Sequence, residues 1–172
     1  TLRLKENNLR IHFADTQVMT ANDWRITAND QASGGANYCG IEDATAGLLL
    51  FRLSAGAPAD SLFLASNGKL GLLTNTPQLD LHLRTMNTPA LRWEQNTSEG
   101  QTAQTWDLAG NEANFFVRDV TGGSRLPWRI RPGAPLNSLI IASNGAVGIG
   151  TSLPVSPLHV YHSSGGAAVR IS

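Results

Sequence analysis

Glycines near the C-terminal end of the chain are the first residues whose spacing could do chemistry. Residues 145–150 read GAVGIG, and closely spaced glycines cradle phosphate groups in dinucleotide-binding proteins. That fingerprint has the order G-x-G-x-x-G and leads from a strand into a helix. Here the order is G-x-x-G-x-G, and the following TSLPVSP cannot begin an ordinary long helix. The sequence therefore predicts no nucleotide cofactor, and glycines that shape a hairpin and give facing side chains room.

Two histidines occupy the same context in different parts of the chain. His82 lies in Leu-His-Leu and His159 in Leu-His-Val. Three such imidazoles around a threefold axis could bind a metal ion or an anion. The interpretation we favour is that each imidazole lies on the side opposite its apolar neighbours and hydrogen-bonds locally. No metal site is predicted.

Tryptophans and carboxylates could recognise or hydrolyse a sugar. Trp24 and Asp30 are the candidates for glycan contact, because an indole stacks on a sugar ring and a polar loop supplies hydrogen bonds. The loop at 29–35, NDQASGG, also resembles a calcium loop faintly, but Gly40 stands where such a loop needs a glutamate. Hydrolysis requires two carboxylates close in space, which sequence spacing does not determine. We predict a non-catalytic chain, with a glycan hydrolase as the least favoured alternative.

The elements that must position these residues come from a unit that occurs twice. Residues 51–83 and 128–160 are identical at 15 of 33 positions when offset by 77 residues. Upstream, Trp24 aligns with Trp106. The start of the chain, TLRLKENN, aligns with ALRWEQNT, so that Trp93 takes the place of a leucine in the first copy. Because an internal repeat determines the architecture of the fold, this duplication is interpreted before the local patterns.

The repeat predicts the domain organisation. β-Repeat unit 1 is expected at residues 1–89 and unit 2 at residues 90–167. The last residues, AAVRIS, match the first strand of each unit a third time, so residues 168–172 are expected to open a further unit. Asp43 and Asp119 recur before turns of small residues, where aspartate caps backbone N–H groups.

Local patterns favour strands almost throughout. Asn-Gly at 67–68 and again at 144–145 predicts two-residue hairpins of type I′, because that turn needs φ > 0 twice. In such a hairpin Leu64 lies opposite Gly71, and the second copy repeats the pairing. X-Pro dipeptides interrupt the best helical windows. The predicted fold is all-β, a tandem repeat of two hairpin-rich units, sandwich- or solenoid-like and elongated, with the hairpins as its core.

Composition excludes several classes of partner. The chain has 172 residues with 13 basic and 13 acidic side chains, so it lacks the basic excess that nucleic acids or anionic membranes attract. No stretch approaches the roughly 18 apolar residues of a membrane span. Cys39 is the single cysteine, which excludes an internal disulfide.

The C-terminal motif resembles a known repeat family. Residues 144–160, NGAVGIGTSLPVSPLHV, are similar to the GNVGIGTTSPSAKLHV-type repeat of phage tail fibres and large bacterial surface proteins. Those repeats often precede an endosialidase-type intramolecular chaperone domain. The resemblance implies elongated, often trimeric β-structured shafts or knobs without catalysis, located outside the cell, on its surface or on a virion. The first copy departs from the motif, as GKLGLLTNTP, and the sequence contains no chaperone domain, so the resemblance implies neither cleavage nor trimerisation here.

These observations together predict a structural fibre module that self-associates through strand faces and edges. The partner is another copy of the chain, in a homotrimer or a head-to-tail polymer. The alternative is a carbohydrate-binding adhesin tip that contacts a cell-surface glycan. Neither nucleic-acid binding nor membrane insertion is expected. The terminal strands are expected to make the longitudinal contacts, through Leu2, Leu4, Val169 and Ile171.

Overall fold

A computed structural model of the chain describes residues 9–14, 16, 22–28 and 37–162. The described residues form fourteen β-strands in four sheets and contain no helix. The predicted all-β class is therefore confirmed. The chain divides into two compact units, Thr1–His82 (unit 1) and Leu83–Ser172 (unit 2). The boundaries inferred from the repeat alone stay predictions.

Unit 1 begins with an antiparallel meander of four strands in sequential order. Polar and apolar residues alternate along its first strands, LRIHF and WRITA, which is the pattern of a sheet with two unlike faces. A β-bulge shifts the register between the third and fourth strands after Ile41. The strands are β1 (Leu9–Phe13), β2 (Trp24–Ala28), β3 (Tyr38–Asp43) and β4 (Leu48–Ser54).

A smaller three-stranded sheet follows the meander in the chain. It consists of β5 (Phe63–Leu64), β6 (Leu70–Leu72) and β7 (Leu81–Leu83), in that order across the sheet. β5 and β6 are the two arms of the predicted hairpin and pair antiparallel.

Unit 2 repeats both sheets in the same order. Its meander again has a register shift between the third and fourth strands, after Val117. In its small sheet the third strand pairs parallel to the second. The meander strands are β8 (Ala90–Gln95), β9 (Gln104–Gly110), β10 (Phe115–Asp119) and β11 (Arg125–Ile130), and the small sheet has β12 (Ile140–Ile141), β13 (Val147–Ile149) and β14 (Leu158–Val160).

The two units share their unusual backbone conformations as well as their strands. Five positions with positive φ in unit 1 recur in unit 2 exactly 77 residues later, including pairs in which the residue type differs. The pairs are Gly47 with Ser124, Gly56 with Gly133, Asp60 with Asn137, Gly68 with Gly145, and Leu73 with Gly150. The register agrees, since Trp24 lies opposite Asp43 and Trp106 lies opposite Asp119. The offset found in the sequence is thus an offset between equivalent backbone positions.

The first strand of the meander departs from the sequence alignment. In unit 1 the place of β8 is taken by β1. Phe13 lies opposite Trp24 in the same way as Trp93 lies opposite Trp106. The structural counterpart of Trp93 is therefore Phe13, and residues 1–8, which the sequence aligned with β8, lie outside the described residues.

The hairpin turn also differs from the prediction. Gly71 lies opposite Phe63 and not Leu64, and of the turn dipeptide only Gly68 has positive φ. Oδ1 of Asn67 accepts a hydrogen bond from the backbone N–H of Lys69 at 3.3 Å, which closes a three-residue loop between residues 65 and 69. Unit 2 has the same register and the same asparagine contact. The predicted type I′ turn was wrong because the loop has three residues, with a backbone hydrogen bond from Gly68 to Ala65 and Gly68 alone at positive φ.

The strand glycines make room for backbone and not for facing side chains. A Cβ on Gly148 would lie 2.6 Å from the carbonyl oxygen of Thr151, and a Cβ on Gly71 would meet the carbonyl of Thr74. Both glycines are buried. They allow the chain after the hairpin to fold back against the strand, as expected of glycines at close backbone approaches.

Few apolar side chains are buried among the described residues. Those that are buried are Tyr38, Ala109, Phe116 and Ala146. The large side chains of the hairpins are exposed, as at Leu64 and Ile141 with 73% and 75% of their surface accessible. Ala146 of the second hairpin is buried, but the hairpins do not form the predicted core of large apolar side chains within a single chain.

Candidate assembly surface

One side of the unit 1 meander carries a continuous set of apolar side chains. Ile11, Ile26, Ile41 and Phe51 lie directly opposite one another across β1 to β4. Residues that face each other across neighbouring strands project to the same side of a sheet. Each of the four has between 40% and 45% of its surface accessible. We call this side the apolar face of unit 1.

Unit 2 presents the corresponding surface with larger rings. Leu91, Leu108, Val117 and Trp128 form its cross-strand row, and we call this side the apolar face of unit 2. The next row contains Trp93 opposite Trp106, both exposed. Phe115 packs edge-on against Trp128, with ring centroids 6.0 Å apart and planes at 83°.

The opposite side of the unit 2 meander carries charged side chains over a buried carboxylate. Asp107 lies between Arg92 and Arg118 in the register and is only 2% exposed. Arg92 Nε donates to Asp107 Oδ1 at 2.8 Å, and Arg118 Nε donates to Oδ2 at 3.0 Å. These hydrogen bonds, from Arg92 first and Arg118 second, lower the pKa of Asp107 to about 2, and Asp107 in turn raises the pKa of Arg92. This is the charged face of unit 2.

Unit 1 has a charged row at the same register with the signs exchanged. Arg25 lies between His12 and Glu42, which is the place that Asp107 takes in unit 2. Arg25 Nη2 is 3.7 Å from Glu42 Oε1, and His12 Nε2 is 3.2 Å from Asp23 Oδ2. Among the described residues, Arg25 Nε is a buried atom without a hydrogen-bond partner. This is the charged face of unit 1.

Arginine side chains cover the aromatic residues on the charged faces. The guanidinium carbon of Arg52 lies 4.9 Å from the ring centre of Tyr38, and that of Arg118 lies 5.9 Å from the ring centre of Phe116. Both rings are 5% exposed. Long arginine stems can cover apolar surface while their head groups stay in water. The charged faces are therefore closed by their own side chains, whereas the apolar faces are not closed by any described segment.

The turn that joins the third and fourth meander strands is capped as predicted. Asp43 Oδ1 accepts from the backbone N–H of Ala46 at 3.0 Å, and Asp119 Oδ1 accepts from Gly122 at 2.7 Å. Gln104 also donates to Asp119, at 2.9 Å. The role predicted for the two aspartates is therefore confirmed. Both carboxylates lie at the turn end of the apolar face of their unit.

The paired histidines make local hydrogen bonds. Nδ1 of His82 accepts from the backbone N–H of Gln78 at 3.3 Å, and Nδ1 of His159 accepts from Val155 at 3.4 Å. The favoured interpretation of these residues is therefore confirmed for Nδ1. Within residues 9–14, 16, 22–28 and 37–162, no three His, Cys, Asp or Glu side chains are grouped as metal ligands.

Most of the candidate residues from the sequence fall beyond what the structure describes. Trp24 is described and lies on the apolar face of unit 1, next to Ile26 and opposite Phe13, with 41% of its surface accessible. The candidates outside the described residues are Leu2, Leu4, Asp30, Val169 and Ile171. The sequence predicted assembly through strand faces but not the residues of the apolar faces, although the alternation in LRIHF, WRITA and ALRWEQ indicates them.

The described part of the chain contains no helix with the length and apolar character to span a bilayer. Comparison of the chain with protein-family models gives no match, and comparison with curated proteins gives none either.

Proposed function

We propose that this chain is a non-catalytic structural module of a fibre, extracellular, on a cell surface or on a virion, that self-associates through its β-strand faces and edges. The observation that carries the proposal is the pair of accessible apolar faces at the same register in both units. Soluble antiparallel sheets that stand alone turn their apolar side inward. Here the more accessible side is the apolar one, which favours a role in assembly.

The duplication supports a structural role. Fibres are built by stacking units that cannot bury their apolar surface alone, and each unit is completed by its neighbours. Both meanders here have the same strand order and leave the same side accessible. The resemblance of residues 144–160 to repeats of phage tail fibres and bacterial surface proteins points the same way. The assembly would be a homotrimer or a head-to-tail polymer.

Carbohydrate binding is the second candidate, and one groove favours it. Trp93, Glu94, Gln95, Gln104 and Trp106 line a groove of about 340 Å³ at one end of the unit 2 meander. Indole rings beside amide and carboxylate groups can stack on a sugar ring and bind its hydroxyls. Titration with oligosaccharides, using the Trp93→Ala variant as the control, would show saturable binding that the variant loses. This site differs from the predicted pair Trp24 and Asp30.

The arrangement around Asp107 does not favour glycan hydrolysis. A general acid for that reaction needs a carboxyl group whose pKa is raised. Two guanidinium groups instead lower the pKa of Asp107 to about 2. This carboxylate is therefore held in its charged form, as a structural partner of Arg92 and Arg118.

The native mass in solution tests the proposed function. Light scattering over a range of protein concentrations is expected to give a mass that is a multiple of 18.3 kDa. A fixed multiple would indicate a closed oligomer, and growth without limit would indicate a polymer. A mass of one chain at every concentration would contradict the proposal and favour the carbohydrate-binding candidate.

A further inference from the structure

We infer that the occupant of each apolar face in the assembled protein is a second copy of this chain, which packs its own apolar face there. The inference rests on the proposed function and goes further, because it selects one surface of the meander as the interface. The charged faces, the hairpin sheets and the strand edges are the surfaces that it rejects as the main contact.

The size of the apolar faces matches a stable interface between copies. Four strands spaced by about 4.8 Å, with five to seven residues of about 3.3 Å each, give a face of roughly 400 Å² per meander. Each meander therefore offers about half of the roughly 800 Å² that each partner contributes to a standard protein–protein interface, and each chain carries two such faces. A single added strand covers only about 5 Å of that width, so the matching occupant is another sheet.

The charge distribution on the apolar faces indicates which kind of sheet would pack against them. The rows through Ile26 and Leu108 contain only uncharged residues, and the aspartates Asp43 and Asp119 stand at the turn ends. A charged partner such as an anionic glycan or an acidic peptide would find no matching group in these rows. Another uncharged apolar sheet face is complementary to them, and each copy of the chain carries two.

A groove extends the apolar face of unit 2 and provides space for side chains of the partner. It has a volume of about 520 Å³, and its lining includes the apolar residues Trp128, Ile130, Leu136 and Leu139 together with Arg129 and Arg131. Leu136 is 90% exposed and Leu139 is 56% exposed. Position 59, which corresponds to Leu136 in unit 1, is an alanine. A large apolar side chain from the second copy would fill this groove and cover both leucines.

The single cysteine lies within the proposed interface. Cys39 is opposite Ala28 on β2 and Leu53 on β4, and it is exposed. Its side is that of Ile41, two residues along the same strand, and therefore the apolar face of unit 1. The thiol has no assigned function here. It reports whether that face is covered, because a maleimide reacts only with an accessible thiol.

The experiment measures the maleimide reaction rate of Cys39 in the wild-type chain across the concentration range of the light-scattering series. Assembly is expected to slow the reaction at least about tenfold relative to the dilute chain, because a thiol in a packed interface is out of reach. Assembly with an unchanged rate would overturn the inference and leave the fibre proposal intact. A chain that stays monomeric would contradict the fibre proposal itself, whatever the thiol rate.

Two neighbouring substitutions on β4 provide a matched pair. Leu53 projects to the apolar face, and Ser54 lies opposite Tyr38 and so projects to the charged face. Leu53→Lys is expected to raise the concentration needed for assembly at least about tenfold, since it buries an unpaired ammonium group. Ser54→Lys adds the same charge to the same strand and is expected to leave assembly unchanged. Equal effects of the two, with both variants folded by circular dichroism, would overturn the inference.

Discussion

In unit 2 a carboxylate lies between two guanidinium groups, whereas in unit 1 a guanidinium lies between an imidazole and a carboxylate. Asp107 and Arg25 occupy the same position on the second meander strand. In both units a charged side chain on the second strand faces a side chain of opposite charge on a neighbouring strand, and the second-strand residue is acidic in one unit and basic in the other. The two rows differ in quality, because Asp107 accepts from both arginines, while Arg25 Nε lacks a described partner.

The residues beneath the charged rows show the same freedom. Phe116 and Gly40 occupy equivalent positions, each opposite an arginine on the fourth strand. Unit 1 buries Tyr38, two residues earlier, and fills the space at Gly40 with Leu49, whose Cδ1 would lie 2.6 Å from an added Cβ. Each unit thus buries one aromatic ring beneath an arginine, but the ring stands at a different position along the third strand in the two units.

Truncating the buried ring is expected to have the largest effect on stability. Phe116→Ala removes a side chain that is 5% exposed, and such truncations cost about 3 kcal/mol at the lower end of the usual range. Phe115→Ala, on the same strand but 45% exposed, should cost about 1 kcal/mol in the dilute chain. Urea unfolding of both variants measures the difference. Equal losses of unfolding free energy in the two variants would contradict the burial of the Phe116 ring on the charged face of unit 2.

Neutralising the carboxylates compares the two charged rows directly. Asp107→Asn leaves Arg92 and Arg118 without their shared partner, so its midpoint of thermal unfolding should fall clearly below that of the wild type. Glu42→Gln weakens a single contact of 3.7 Å and should lower the midpoint less. Thermal unfolding followed by circular dichroism at neutral pH gives both values. A larger fall for Glu42→Gln would reverse the ranking of the two rows.

The pH dependence of the unfolding midpoint of Asp107→Asn gives an independent check. The pKa of Asp107 falls from 3.8 to about 2 on folding, so its stabilisation is complete above the unfolded value and is lost as pH falls through the folded value. The difference in midpoint between wild type and Asp107→Asn should therefore be constant above about pH 5 and shrink between about pH 4 and pH 2. A difference that does not change over this range would exclude the ionised carboxylate as its cause.

The sequence predicted those features that rest on local patterns. Asparagine, glycine and proline at fixed offsets predicted the all-β class, and the 77-residue offset predicted equivalent backbones. Sequence similarity does not identify β1, because the register places Ile11 and His12 at the positions of Leu91 and Arg92. The pairing of Phe13 with Trp24, which matches that of Trp93 with Trp106, shows that β1 is the counterpart of β8.

The charged rows could not be predicted from the sequence for a related reason. Arg92 and Asp107 are 15 residues apart and Arg118 is a further 11 residues along, so only the strand register brings them together. The register itself depends on the lengths of the loops that join β8 to β9 and β9 to β10. Sequence alternation indicates that one side of each strand is polar, but it does not say which charges meet.

The last expected effects come from the position that follows both hairpins, where Leu73 in unit 1 and Gly150 in unit 2 have the same conformation. Leu73 and Gly150 have φ of 61° and 75°. Gly150→Ala should cost about 2 kcal/mol, because a Cβ is strained there and would also meet the carbonyl of Tyr161. Leu73→Gly should stabilise the chain by at most about 1 kcal/mol, since released strain exceeds the added chain entropy of glycine. Urea unfolding that shows Leu73→Gly to be destabilising would mean that the exposed leucine contributes more by packing than its conformation costs, and that the first copy is not merely a weaker version of the second.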